Sequence, residues 1–295
     1  MVDATGGATG ASETSTVASQ QTELDNVAGY AGGDVDAWFD SIQAQLGQIG
    51  ENAGALTEGS LFLGSLLASD ELAEGTTFGD VTSVNADYLA WLEDNPDGSI
   101  DDFLAQYDGD KDVAKGVLYA QIEESDQYSE WATAKTEELK EANPDITEEE
   151  LQEQVSAEKF LESGEFDQQT FNQDIENNTE VLVTMLVVGE DPNIDLGSST
   201  DVDVIMNDIK TNGSSSSELG DVMQGNPLLG DEGKDATLGT VQNNALDAGA
   251  DLQQNGISPE LLAEINYLMT IMNTLTEMFL KVNQVVGSAF SKATQ

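Results

Sequence analysis

The stretch ISPELLAEINYLMTIMNTLTEMFLKVNQVVGSAFSKATQ, residues 257–295, decides the fold class. Ser258 is suited to cap a helix, Pro259 to occupy its first position, and Ile257 with Leu262 to staple its start. From there Leu261, Ile265, Leu268, Met272, Leu275, Phe279, Val282, Val286, Ala289 and Ala293 alternate steps of four and three, the a/d pattern of a coil-forming helix. Ile271, Met278 and Val285 widen the stripe on one side, and Leu262, Met269 and Phe290 on the other, which suits a helix surrounded by several neighbours. Burying the ten seam residues contributes roughly 10–25 kcal/mol gross, an upper bound before chain entropy. Such a helix needs partners. They are either other helices of the same chain, packed as a bundle, or the same faces of neighbouring subunits. A membrane span is excluded, because Asn266, Asn273, Glu277, Lys281, Asn283 and Gln284 interrupt the apolar run.

The rest of the chain differs sharply in charge. The 295 residues carry 57 acidic and nine basic side chains, a formal net charge of −48, and 39% are hydrophobic. Residues 257–295 hold three glutamates and two lysines, so −47 falls on the first 256 residues. All nine basic residues are lysine, and there is no arginine, histidine or cysteine. Those absences remove Ser-His-Asp and Cys-His nucleophiles, imidazole or thiolate metal sites and arginine phosphate clamps. A surface this acidic repels a phosphate backbone, so no nucleic-acid partner is expected. Paired carboxylates are too numerous here to single out a glycosidase pair, and aromatics are sparse at 6%. No enzyme is expected. Trp38, Trp91 and Trp131 read as packing residues on amphipathic faces.

Residues 1–33 are rich in Ser, Thr, Gly and Ala and match neither part of a cleaved signal peptide. They read as a flexible tail or as an uncleaved export signal. Residues 34–75 read as N-terminal amphipathic helices: Asp34 is a cap candidate, with Val35, Trp38, Phe39, Ile42, Leu46 and Ile49 on one face. The run Leu56, Leu61, Phe62, Leu63, Leu66, Leu67 is interrupted by Gly54, Gly59 and Gly64, each costing a helix about 1 kcal/mol relative to alanine. That run therefore requires a packing partner.

Residues 76–124 read as a small helical module of short segments, VNADYLAWLED, SIDDFLAQY and VAKGVLYAQIEE, separated by NPDG and GDKD. Ser99 is a candidate N-cap with Asp101 and Asp102 in the first turn. Residues 125–256 read as an acidic insertion, partly loops. Within it Thr147 and Glu150 form a capping box, and VLVTMLVV at 181–188 favours a buried strand by its β-branched content, although periodicity alone also admits a helix. Residues 189–256 read as long loops from their Gly, Ser, Asn and Asp content. The fold class expected is mainly α, with N- and C-terminal helices forming a coiled coil or helical bundle and a loop-rich, possibly α+β insertion.

Asp108, Asp110 and Asp112 in DGDKD have the spacing of the first three ligands of a calcium loop. Val113 stands where such a loop needs glycine and Tyr119 where it needs glutamate, so a solvated turn is the better reading and calcium binding, if present, is weak.

The segment SIDDFLAQYDGDKDVAKGVL, 99–118, resembles the corresponding stretch of type III secretion filament and translocon proteins of the EspA and SseB type, and VNADYLAWLEDN resembles the short helix before it. The heptad falls where that family has its C-terminal coil-forming helix, and the tail resembles its export signal. This chain is longer, chiefly in 125–256, and its N-terminal apolar segment is shorter and richer in glycine. The resemblance implies a secreted, extracellular or surface protein that polymerises through Leu261, Ile265, Leu268, Met272, Leu275, Phe279, Val282 and Val286. It also implies a chaperone before export and translocator proteins as partners. The alternative is a non-enzymatic acidic extracellular or halophilic scaffold, or a calcium-associated surface protein.

Overall fold

The computed structural model describes residues 35–256 together with 263, 265–267 and 270, with side chains from Ile42 onward except at Asn255. Among the described residues the fold is mainly α: eleven α-helices, two short 3₁₀ helices and no strand. Contacts divide the chain into residues 48–256 and a second group, 1–47 with 257–295. In the second group the described part of the C-terminal segment is helical, with Ile265 half-buried.

Helix α1 (Val35–Ala68) is one uninterrupted helix through five glycines, Gly54, Gly59 and Gly64 among them. Its partners explain how. A Cβ on Gly59 would stand 2.5 Å from the Met185 sulfur, and one on Gly64 would stand 2.4 Å from the Gln242 side-chain nitrogen. Gly59 and Gly64 are thus points where α1 lies close against its neighbours, and Ala53, Leu56, Leu63 and Leu66 are buried on the same helix. The Asn52 amide also donates to the carbonyls of Pro192 (3.0 Å) and Ile194 (2.9 Å).

Helix α2 (Phe78–Asp94) starts at a reciprocal capping box of Thr77 and Asp80. Helix α3 (Ile100–Gln106) starts at Ser99, as its sequence predicts, and Asp102 completes a box there. Helix α4 (Lys111–Glu124) is capped by Asp110 and α5 (Asp126–Ala142) by Ser125. The Thr147–Glu150 box opens α6 (Glu148–Gln154), and Ser156 starts a separate α7 (Ala157–Ser163).

The strand favoured for 181–188 is not formed. VLVTMLVV belongs to α8 (Gln168–Glu190), where Leu182, Val183, Met185, Leu186, Val187 and Val188 are buried. Packed by α1, α2, α9, α10 and α11, this helix is apolar on several faces and so shows no helical period. Tertiary burial overrides the modest helix disfavour of valine. Nor are residues 189–256 chiefly loops. They form α9 (Asp201–Asn212), α10 (Ser217–Met223) and α11 (Leu238–Asn255), with 3₁₀ turns at Gly213–Ser215 and Gly230–Asp235. The loop-like residues serve as caps and core bonds. Ser216 caps α10 and Thr237 caps α11, while buried Asn226 donates to Leu186 and Val222 carbonyls and accepts the Leu228 amide.

The sparse aromatics are concentrated. Nine rings touch in one continuous run, Tyr107, Phe103, Trp91, Tyr88, Phe171, Phe166, Phe160, Trp131 and Tyr128, with centroids 5.0–6.3 Å apart. Spacings in this range suit tilted and edge-on pairs. The run joins α2, α3, α5, α7 and α8, and Trp91 and Trp131 are packing residues within it. The side chain of Trp38 lies outside those described.

Candidate functional site

Two regions carried the expectations from sequence: the heptad and the DGDKD turn. Of the heptad residues, Ile265 is helical and half-buried. Leu261, Leu268, Met272, Leu275, Phe279, Val282 and Val286 lie outside the described residues.

The DGDKD turn is built as a helix start. The Asp110 carboxylate accepts the backbone amides of Asp112 (3.0 Å) and Val113 (3.3 Å), satisfying two donors that a helix N-terminus leaves open. Lys111 turns back and donates to the Ala105 carbonyl at 2.7 Å. Among the described residues no three Asp or Glu side chains gather closely enough to hold a metal ion, so Asp108, Asp110 and Asp112 do not converge as ligands.

What the turn does is rim a cleft. Ser83, Asp87 and Trp91, spaced four apart, line it from one face of α2. Phe103 and Gln106 of α3, then Tyr107, Asp108 and Gly109, form the opposite side, and Ser214 and Ser215 of the 3₁₀ turn close one end. Its volume is 630 Å³, within the usual range for small-ligand sites.

Three glycines shape it. Gly213 has φ +59°, and a Cβ there would stand 2.5 Å from an Asp87 carboxylate oxygen. Glycine lets the turn come close enough for the Ser214 amide to donate to Asp87 at 2.7 Å. A Cβ on Gly98 would meet the Trp91 six-membered ring at 2.1 Å, and one on Gly109 would meet the Tyr107 ring at 2.7 Å. Backbone therefore lies directly against both aromatic walls and holds them in place. The Trp91 indole N–H is buried without an acceptor.

The cleft is electronegative. Burial pushes the Tyr107 phenol above its ordinary pKa, and the carboxylates of Asp87, Asp80 and Asp110 push it further in the same direction. Neither the cleft nor its glycine supports are visible in sequence, because Ser214 and Ser215 sit about 130 residues from Asp87 in a segment that reads as loop.

Among the described residues only three side-chain ion pairs form, Lys135–Glu138, Lys159–Glu162 and Lys210–Glu176. Against 57 acidic side chains these leave the surface strongly anionic. No helix among the described residues is long and apolar enough to cross a membrane. No family model, curated protein or solved structure matches this chain.

Proposed function

We propose that this chain is a secreted structural protein, not an enzyme, that self-assembles through residues 257–295 into a filament or translocon platform of a type III secretion system. One observation carries the reading: ten consecutive apolar a/d positions run through residues 257–295, a seam that needs partners to be buried. The resemblance of 99–118 to filament and translocon proteins supplies the system, and an exposed heptad calls for a chaperone until export. Translocator proteins are the partners that this role implies.

Sedimentation velocity and negative-stain microscopy of the full chain test the reading. Polymers that grow with concentration are expected, together with their loss on combining Leu268→Asp with Leu275→Asp while the helical circular dichroism of the body persists. A strictly monomeric species at every concentration and salt would overturn it.

A further inference from the structure

We propose that the cleft between α2 and α3 is a receptor for an arginine side chain presented by a partner protein. The chemistry of its walls selects for an organic cation. Trp91, Phe103 and Tyr107 are successive rings of the aromatic run, with centroids 5.7 Å and 5.2 Å apart. Aromatic faces attract cations through their quadrupoles, and tryptophan and tyrosine do so best. Asp87 and Asp108 stand at the rim of the same cleft. Phe103 is buried and the rings are inclined by 60° and 41° to one another, so half-buried Trp91 and Tyr107 supply separate ring surfaces with carboxylates beside them, which suits guanidinium better than ammonium: the planar group stacks on a ring and pairs with a carboxylate at the same time.

The site is built for a fixed geometry. Asp87 is oriented by the Ser214 amide across a positive-φ glycine, and both outer rings are backed by glycine backbone. The chain does not fill the cleft with the lysine nearest in sequence, because Lys111 donates to Ala105. It already uses the same attraction elsewhere: the Lys115 ammonium lies 4.7 Å over the Tyr119 ring. Since the chain has no arginine, no copy can plug the cleft of another copy with guanidinium, so the occupant comes from a different protein. A body carrying nearly all of a −48 charge draws basic partners by long-range steering, and the cleft adds a specific point of capture. This inference does not depend on assembly through the heptad.

Nonspecific attraction to a polyanion is the competing explanation, so the test must separate the two. The full chain, labelled with ¹⁵N, is titrated with N-acetyl-arginine amide at constant ionic strength while the tryptophan indole N–H signals are followed. A saturable shift of the Trp91 signal is expected, with Trp131 unmoved. Asp87→Asn and Tyr107→Leu should each weaken binding about tenfold, the loss of one close charge or stacking partner. Glu141→Gln, which removes the same charge from an exposed position on α5, should leave affinity unchanged. If Asp87→Asn perturbs the fold, Tyr107→Leu alone decides. An absent or unsaturable shift, equal weakening by Glu141→Gln, or equal affinity for N-acetyl-lysine amide would overturn the assignment.

Discussion

Asn85 of α2 and Gln121 of α4 exchange amide hydrogen bonds in the core: Gln121 donates to Asn85 at 2.8 Å, and Asn85 donates back at 3.4 Å. Both are at most 1% exposed, and the Gln121 oxygen also accepts from Asn178 of α8 at 3.2 Å. Three helices are thereby tied together, with the Asn85–Gln121 pair itself buried and Asn178 half-buried. Replacing Gln121 with leucine strands the Asn85 amide and should cost about 1–3 kcal/mol. Adding Asn85→Leu to Gln121→Leu should cost less than the sum of the two single changes, because the stranded partner is gone. Urea unfolding of the two single variants and the pair gives the comparison, and strict additivity would show that the exchange is not a coupled unit.

Gly54 and Gly59 are five residues apart on α1 and should respond oppositely to alanine. Nothing lies within 4 Å of a Cβ at Gly54, so Gly54→Ala gains helix propensity and should stabilise by about 0.5–1 kcal/mol. At Gly59 the new Cβ meets the Met185 side chain at 2.5–2.9 Å, its Cβ included, so rotation of the methionine end does not clear the way. Overpacking there should cost about 1–3 kcal/mol and outweigh the propensity gain. Thermal melts of both variants check the sign at each position. Stabilisation by Gly59→Ala would mean that α1 does not lie this close to α8.

Carboxylates at the helix caps and in the body pull stability in opposite directions as pH changes. Burial lifts the Glu123 carboxyl above its ordinary pKa, against the lowering effect of the Ser69 hydroxyl, and Glu71 and Asp70 add to the rise. Burial, helped by Asp126, lifts Asp174. Each penalises the folded state when ionised, and that penalty is relieved as pH falls through the raised value toward the unfolded one, about 4 for these groups. The capping carboxylates run the other way. Bonds from Ser99, Thr147, Thr170 and Ser216 lower Asp102, Glu150, Asp167 and Asp208. Their contribution is complete above the unfolded value and is lost as pH falls through the lowered ones. Stability should therefore rise as pH falls from neutral through the raised values toward about 4, and fall as pH drops further through the lowered ones. Glu123→Gln should flatten the rise while keeping the acid loss, as read from urea midpoints across pH. A rise of the same size in that variant would assign the effect to other groups.

How legible the fold was depended on whether the cause was local. Ser99 and Thr147 announced their helices because a cap and its N3 carboxylate lie within four residues. Thr77 and Asp80 form the same kind of box, with aspartate at N3 as at Ser99 and Asp102. Residues 181–188 present the opposite situation: this stretch of α8 is packed on several sides, so its pattern carries no period by which a helix can be told from a strand. The polar stretch 189–256 looked like loops because the residues that cap short helices and bond buried carbonyls, Ser216, Asn226 and Thr237, are the residues loops also use. The cleft was beyond reach for a further reason. Trp91 is readable as a packing residue, but Gly213 and Ser214 reach Asp87 only through the pairing of α9 with α2, a tertiary fact.

Salt separates an assembly seam from an internal strut. The copies that would meet along residues 257–295 each carry −47 outside that segment, so their bodies repel at any distance not screened by ions. The Debye length shrinks from about 30 Å at 0.01 M to about 8 Å at 0.15 M, which removes repulsion between bodies while leaving the burial of apolar a/d side chains intact. Association of the full chain should therefore strengthen as sodium chloride rises over that range, and the same salt should act little on a version already broken by Leu268→Asp with Leu275→Asp. Sedimentation velocity at several salts, at one protein concentration, measures both. Association that weakens with salt would instead point to contacts between the few lysines and the many carboxylates, and would remove the heptad as the joining surface.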